Sequence, residues 1–95
     1  MSSELLDHLA TAARSYQSIA KVILFGSRAR GSYHRTSDYD ICVYCEDEKD
    51  FIKYYFDVDD IDTFYKIDVL HYEALSNDAL KQEILTDGIV LYERE

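Results

Sequence analysis

Apolar and polar residues alternate along the chain in two patterns, one typical of helices and the other of strands. Leu5, Leu9 and Ala13 recur at helical spacing in the first segment. The run of residues 21–25 is instead short, apolar on both faces and stopped by Gly26, which is typical of a buried central strand. The same patterns predict three helices: one over residues 3–18, one that begins at residues 46–50, and one that ends at Gly88. A helical turn and loop are predicted over 28–35. Strands are predicted over 21–25, 38–44, 64–72 and 89–92, and a loop over 57–62.

Capping signals mark the ends of the first and last predicted helices. Ser2 or Ser3 is placed to cap the start of the first helix, and Ser76 the start of the last one. Gly88 is a suitable residue for the C-terminal end of that last helix. Its apolar residues include Leu85, which we expect to point inward.

The length and the order of these elements limit the fold class. The chain has 95 residues, enough for one domain with a modest core and too few for two. Because helices and strands alternate, we expect a single α/β (α+β) domain over residues 1–95, with helices flanking a small mixed sheet. No apolar run approaches the roughly 18 residues of a membrane-spanning helix, and the amino terminus lacks the pattern of a secretion signal. We therefore expect a cytoplasmic protein that does not contact a membrane.

The net charge of −9 is unevenly distributed along the chain. Between His8 and Ser37 there are five basic residues and no acid, whereas residues 38–95 hold seventeen acids against five bases. A chain this acidic is a poor sequence-independent binder of nucleic acid, so we expect no direct nucleic-acid binding. A small polyanion could still be held where the basic segment meets the carboxylates, if metal ions bridge them.

The two cysteines carry no predicted chemistry. Cys42 and Cys45 are spaced as Cys-x-x-Cys inside an apolar run, and no second pair of ligands exists to complete a zinc site. Two strand residues separated by three positions point to opposite faces of the sheet. We therefore expect inert thiols and no disulfide.

The first candidate for chemistry is a pair of carboxylates. Asp38 and Asp40 lie two positions apart on a predicted strand, so both side chains leave the same face. Like charges this close repel each other, and a divalent cation such as Mg²⁺ would remove the repulsion. The pattern predicts a metal site. The alternative is that one aspartate caps the strand entrance while the other points to solvent.

Gly26 and Ser27 strengthen the case because they follow the buried strand and precede a helical turn. At such a turn the missing Cβ lets a phosphate approach the backbone, and the serine hydroxyl adds a donor. A glycine-serine turn alone is weak evidence, since a simple turn explains it equally well. Ten residues rich in arginine separate it from the Asp38–Asp40 pair. Nucleotide chemistry requires hydrogen-bond donors for the phosphates beside ligands for a metal ion.

Asp68 is the candidate for a third carboxylate. It lies between Ile67 and Val69 in an apolar strand, where an unpaired charge is costly to bury. A two-metal site needs such a group because the attacking oxygen must also lose a proton. The alternative explanation is a salt bridge to Lys66 or a position at the edge of the sheet.

Glycine-serine, ten residues, Asp-x-Asp and a later strand aspartate together resemble the DNA polymerase β-type nucleotidyltransferase superfamily, and the short chain is most similar to its minimal nucleotidyltransferases. The resemblance extends from Val22 to the closing residues 88–92. It implies a small mixed sheet flanked by helices. It also implies that Gly26 and Ser27 hold the triphosphate of the donor, that Asp38 and Asp40 bind two Mg²⁺ ions, and that Asp68 binds one while assisting the acceptor hydroxyl.

Other polar residues of the basic segment have no fixed place in that motif. Arg28, Arg30 and Arg35 are candidates for phosphate contacts, against the alternative of a solvated or partner-facing loop. His34 falls in the same class, whereas His8 and the histidine of the third strand are interpreted as structural.

The resemblance further implies a partner and a reaction. Minimal nucleotidyltransferases are commonly paired with small helical HEPN-type proteins as toxin and antitoxin, and neutralise the HEPN ribonuclease by attaching AMP to it, often at a tyrosine. The expected function is therefore transfer of AMP from ATP to a protein partner. The chain is expected to act within a hetero-oligomer or as a homodimer. Two alternatives stay open: nucleotidyl transfer to a small molecule or nucleic-acid end with a separate acceptor subunit, and a non-catalytic antitoxin that acts by contact alone.

Overall fold

The computed structural model describes residues 3–95, which form four α-helices, four strands and one short 3₁₀ turn. The helices are α1 (Ser3–Ala13), α2 (Ser27–Arg30), α3 (Glu48–Asp59) and α4 (Asp78–Asp87). The strands are β1 (Ile19–Phe25), β2 (Tyr39–Cys45), β3 (Ile67–His71) and β4 (Ile89–Glu93), with the 3₁₀ turn at Tyr72–Ala74.

The strands form one sheet in the order β3-β2-β1-β4. The central strand β1 is antiparallel to both β2 and β4, whereas β2 and β3 are parallel. The β2–β3 connection is a crossover of about twenty residues that contains α3, as a parallel pair requires. The sheet is therefore mixed, and the predicted fold class, a small mixed sheet flanked by helices, is confirmed.

The larger core lies on the face of the sheet that α1 and α3 cover. Leu9 of α1 and Tyr54 of α3 are fully buried against the inward side chains of β1 and β2. The Tyr54 hydroxyl donates a hydrogen bond of 2.9 Å to the carbonyl of Leu9, which satisfies its polar atom and joins the two helices. Each fully buried aliphatic side chain of this kind contributes roughly 1.5–3 kcal/mol to folding.

The opposite face carries a smaller core beneath α4. Ile23, Phe25 and Cys42 of the sheet pack there against Ile84, which is fully buried. Cys45 belongs to the other core, so the two cysteines do face opposite sides of the sheet and both are free. Burial raises the pKa of the Cys42 thiol to about 12, which agrees with the prediction of an inert thiol.

Several predicted boundaries are wrong. Helix α1 ends at Ala13 rather than near residue 18, and α3 continues to Asp59 through the start of the predicted loop. Asn77, not Ser76, caps α4, because its side-chain oxygen accepts from the N–H of Leu80 at 3.1 Å. Ser2, the other predicted cap, lies outside the described residues.

Two further expectations concern the last helix. Gly88 does end α4, and its N–H donates to the carbonyl of Ile84 at 2.9 Å. A Cβ at Gly88 would lie 2.5 Å from a methyl carbon of Ile23, so the close packing of α4 on β1 requires glycine. Leu85, expected to point inward, is 61% exposed because α4 buries only one narrow side. Among residues 3–95, none of the helices has the length and apolar character that crossing a bilayer would take.

Candidate active site

The turn after β1 brings the backbone against a carboxylate. Gly26 has φ 75° and ψ −158°, a conformation that residues with a Cβ rarely adopt. A Cβ built there would lie 2.6 Å from Oδ2 of Asp40, so the contact itself excludes a side chain. Ser27 follows as the first residue of α2. The glycine-serine turn and the Asp-x-Asp pair therefore meet in space, although ten or more residues separate them in sequence.

The parallel pairing of β2 and β3 brings the second and third carboxylates together. Asp40 and Asp68 are register partners in neighbouring strands, and their carboxyl groups are close enough to share a hydrogen bond when Asp40 is protonated. Asp38 is exposed and lies immediately before β2, close enough for its charge to act on Asp40. The three predicted carboxylates thus gather at one end of the β2–β3 pair, beside Gly26.

Asp40 is the most perturbed carboxyl of this group. Its pKa is raised from 3.8 to about 6, first by burial, then by the negative charges of Asp68 and Asp38, then by the hydrogen bond that the protonated Asp40 carboxyl donates to Asp68, and last by the charge of Glu83. Like charges that cannot all stay ionised are what a bound cation would relieve. A set of carboxylate oxygens also has the ligand chemistry that Mg²⁺ prefers. The residues present therefore fit such an ion.

The carboxylates are not yet arranged around an ion. Within residues 3–95, no group of three or more His, Cys, Asp and Glu side chains already has the geometry of a metal site. Asp68 instead lies opposite Asp40 and forms an ion pair with Lys66, whose Nζ is 3.7 Å from Oδ1 of Asp68. Both members of that ion pair are well exposed, at 43% and 71%, so the pair contributes little and can open easily.

A cleft gives access to the carboxylates. It encloses about 380 Å³ and is lined by Asp40 and Asp68 together with Phe25, Tyr55 and neighbouring residues of β3. Phe25 is the last residue of β1, directly before the Gly26 turn. The cleft therefore extends from the carboxylates to the end of the strand that leads into the Gly26 turn.

The structure contradicts the interpretation of Arg28 as a phosphate contact. Arg28 is only 4% exposed, and its guanidinium donates to the carbonyl of Ser37 at 3.0 Å and to that of Arg35 at 3.1 Å. It lies 4.3 Å from the ring centre of Tyr39, and the rings of Tyr33 and Tyr65 are within 5 Å. Arg28 thus fixes the loop that ends at the Asp-x-Asp pair.

Arg30 bridges the short helix α2 to α4. Its Nη1 lies 3.1 Å from Glu83 and 3.6 Å from Asp87, which are four positions apart and so share one side of α4. Glu83 also raises the pKa of Asp40, so it belongs to the surroundings of the site. The sequence analysis missed both acids. Their i,i+4 spacing was visible, but nothing in the sequence placed α4 beside α2.

His34 and Arg35 lie on the exposed loop between α2 and β2. The backbone N–H of His34 donates to Oγ of Ser37 at 2.8 Å, and the carbonyl of Arg35 accepts from Arg28. Their side chains remain candidates for either a phosphate contact or a partner contact.

A mixed four-stranded sheet with a glycine-serine turn set against three carboxylates defines a nucleotidyltransferase domain. The chain belongs to the family described as "Polymerase beta, Nucleotidyltransferase", whose profile matches residues 7–95. The predicted membership of the DNA polymerase β-type superfamily is confirmed. No curated protein sequence matches the chain.

Solved structures share the fold at low sequence identity. A chain in the crystal structure of a toxin–antitoxin complex with AMP-PNP is 23% identical, with a TM-score of 0.69 over 95% of this chain and 74% of that one. A chain of the tri-AMPylated HEPN toxin in complex with MNT antitoxin from Shewanella oneidensis is 20% identical, with a TM-score of 0.65 over 99% and 74%. A chain of the MntA–HepT toxin–antitoxin complex is 19% identical, with a TM-score of 0.63 over 98% and 74%.

Proposed function

We propose that this chain transfers AMP from ATP to a hydroxyl group of a protein partner, and that it thereby acts as the antitoxin of a HEPN-type ribonuclease. The observation that carries the proposal is the pairing of Asp40 with Asp68 across neighbouring strands, next to the backbone of Gly26. A protein that acts by contact alone has no physical need for three carboxylates in one place. The repulsion among them costs stability, which a bound cation would return.

The donor nucleotide would place its triphosphate at Gly26 and Ser27, next to the cleft that the carboxylates line. Because Gly26 has no Cβ, a triphosphate can lie against the backbone there, and the Ser27 hydroxyl can donate to a phosphate oxygen. Asp38, Asp40 and Asp68 would hold two Mg²⁺ ions, which supply positive charge for the transferring phosphoryl group. ATP as the donor is supported by the AMP-PNP in one structure of the same fold.

The acceptor would approach from the side of Asp68. The Asp68 side chain is 43% exposed at the edge of the sheet, whereas Asp40 lies further inside. Asp68 is therefore the carboxylate that an incoming hydroxyl can reach and that can take its proton. The hydroxyl oxygen bonds to the α-phosphorus, the bond from that phosphorus to the bridging oxygen breaks, and pyrophosphate leaves.

The partner assignment is supported by solved structures of the same fold. Chains of the same fold occur in toxin–antitoxin complexes, and in one of these the HEPN toxin carries AMP groups. The acidic half of this chain would also suit a basic, RNA-binding partner.

The test uses the protein encoded in the neighbouring reading frame. That protein is incubated with this chain, ATP and Mg²⁺, and its mass and ribonuclease activity are measured. We expect a mass gain of one or more AMP groups and a loss of ribonuclease activity, both dependent on ATP and prevented by a metal chelator. An inhibited partner of unchanged mass would instead indicate a binding antitoxin. AMP found only on a small molecule or an RNA end would indicate the other alternative.

A further inference from the structure

Strand β3 leaves one edge of the sheet open beside the carboxylates. It is the outermost strand and pairs only with β2. The carbonyl of Lys66 accepts from the N–H of Tyr39 at 2.9 Å, which fixes which backbone groups face inward. Because alternate residues of a strand face the same side, the N–H and C=O of Asp68 point to β2, and those of Ile67 and Val69 point outward. These outward groups are free to pair with another strand.

A groove follows this open edge to the active site. One cleft of about 280 Å³ lies between the end of α3 and β3, and the cleft of about 380 Å³ described above adjoins it. Both are lined by Tyr55, Ile67, Asp68 and Val69. The first reaches Asp59 at the end of α3, and the second reaches the carboxylate of the neighbouring strand. An extended segment along the edge would therefore pass directly beside Asp68.

Exposed aromatic side chains flank the groove. Phe64 is 83% exposed, Phe56 59% and Tyr55 45%. Tyr55 lines the groove, Phe56 contacts Tyr55 edge to face, and Phe64 contacts Tyr65, which also lines it. Aromatic groups of this size left in water are typical of a surface that another protein covers.

The charge of the same region selects the kind of partner. Asp59 lines the groove, and Asp57, Asp60 and Asp62 are exposed in the same stretch of chain between the exposed aromatic residues of α3 and Phe64. Lys66 is the one basic residue lining the described clefts of the groove, and it pairs with Asp68. Such a surface attracts a basic segment and repels an acidic one, including the phosphate backbone of RNA.

We propose that the groove binds an extended, basic segment of the acceptor protein as a fifth strand next to β3, and so brings a hydroxyl side chain to Asp68. This rests on the proposed function, since it names how the acceptor is held. Backbone hydrogen bonds to Ile67 and Val69 give the affinity, the aspartates select basic sequence, and the aromatic residues cover the far side of the segment. The other edge strand, β4, exposes Ile89 and Val90, but the carboxylates lie at the β2–β3 end.

The test is an array of nine-residue peptides with a central tyrosine, serine or threonine and either basic, neutral or acidic flanks. The array is incubated with the full chain, labelled ATP and Mg²⁺. We expect label mainly on basic peptides, at least about tenfold above acidic ones. The variant Val69→Pro removes an outward N–H without breaking the ladder to β2, and we expect it to lose about tenfold or more of the labelling. Its melting temperature and ATP binding show whether the fold is kept.

A second pair of variants guards against a folding defect in Val69→Pro. Asp59→Asn with Asp62→Asn removes the charge of Asp59, which lines the groove, and that of Asp62, which lies between two residues that line it. Glu46→Gln with Glu48→Gln removes two charges at the opposite end of α3. We expect only the first pair to reduce the preference for basic peptides, by about threefold or more.

Each outcome decides the inference separately from the proposed function. Peptides labelled equally by wild type and Val69→Pro, or labelled without regard to charge, would overturn the strand-docking inference while transfer itself stands. The inference would also fail if no peptide is labelled although the intact partner protein is, because the acceptor would then need a folded surface. A change from dimer to monomer in Val69→Pro would show that a second copy occupies the edge, against the inference. Absence of label on any acceptor counts against the proposed function.

Discussion

Polar residues at one end of the β2–β3 pair have complementary partners, whereas those at the other end repel one another. At the C-terminal end, the N–H of Cys45 donates to Glu73 at 3.0 Å and its carbonyl lies 2.7 Å from Nε2 of His71. Nearby, Ser18 donates to Asp50 at 2.7 Å. Each of these groups has a complementary partner, so the cluster joins β1, β2, α3 and the 3₁₀ turn.

At the other end, like charges face each other. Asp40 and Asp68 are held together by the strand register with Asp38 next to them, and the pKa of Asp40 is raised as a result. Complementary partners indicate a structural role, whereas enforced repulsion indicates a ligand that completes the site. Most of the nineteen acids in this chain are exposed to solvent, and the acids that are forced together mark the candidate functional site.

The largest effect should come from removing the repelling carboxylates. We expect Asp38→Asn with Asp40→Asn to lower the rate of AMP transfer by about a thousandfold or more, because two of the three proposed metal ligands are lost. The matched change at the satisfied end, Ser18→Ala, should keep the rate and lower the free energy of unfolding by about 1 kcal/mol. Transfer rates measured with the partner protein and urea unfolding test both. Transfer retained in the double variant would refute the metal assignment.

The next effect concerns the arginine that positions the loop before the Asp-x-Asp pair. Arg28→Ala should lower the free energy of unfolding by about 3 kcal/mol, because it empties a cage of three rings and leaves two carbonyls without their donor. Arg28→Lys keeps the charge but not the planar fork. It should lose about half as much stability and lower kcat more than it raises the KM for ATP. Equal stability in both variants would contradict the cage.

The third effect is a dependence on pH. Because the pKa of Asp40 is raised from 3.8 to about 6, the protonated carboxyl stabilises the fold below pH 4, and this stabilisation is lost as the pH rises through 6. Asp40→Asn avoids that loss. Allowing for partial solvent screening, the variant should be more stable than wild type by about 1 kcal/mol at pH 8, and equally stable at pH 4. Thermal unfolding without divalent cations measures the difference, and a gain that does not vary with pH would argue against the repulsion.

The smallest effect is at the glycine-serine turn. Ser27→Ala removes one hydroxyl donor from the proposed phosphate contact, so nucleotide affinity should fall by roughly fivefold, equivalent to about 1 kcal/mol. Titration with ATP in the presence of Mg²⁺ measures it, with Ser18→Ala as the control. An unchanged affinity would remove Ser27 from the site.

Much of the chemistry could be predicted because it is local in sequence. Gly26 and Ser27 follow a short apolar strand, and the Asp-x-Asp spacing brings two carboxylates to the start of the next strand. Asp68 stood out as an acid inside an apolar run. The assignments of these residues to phosphate and metal stay predictions, while their gathering at one place is a property of the fold.

The errors came from groups whose partners are distant in the sequence. The basic segment made Arg28 a candidate for a phosphate contact, and only the approach of Tyr39 and Tyr65 explains its burial. Leu85 fits an inward helical pattern, yet α4 buries only the side that carries Ile84. Asn77 replaced Ser76 as the cap because the helix begins one residue later than its first signal.

The sequence by itself determined the elements, the mixed fold class and the residues able to do nucleotide chemistry, since each depends on spacing within one or two neighbouring segments. The tertiary structure alone decided that β2 and β3 run parallel, in a register that sets Asp40 opposite Asp68. It also decided that β3 lies at the open edge of the sheet. Register and edge position arise from how whole strands pack on a shared core, and no local pattern encodes that arrangement.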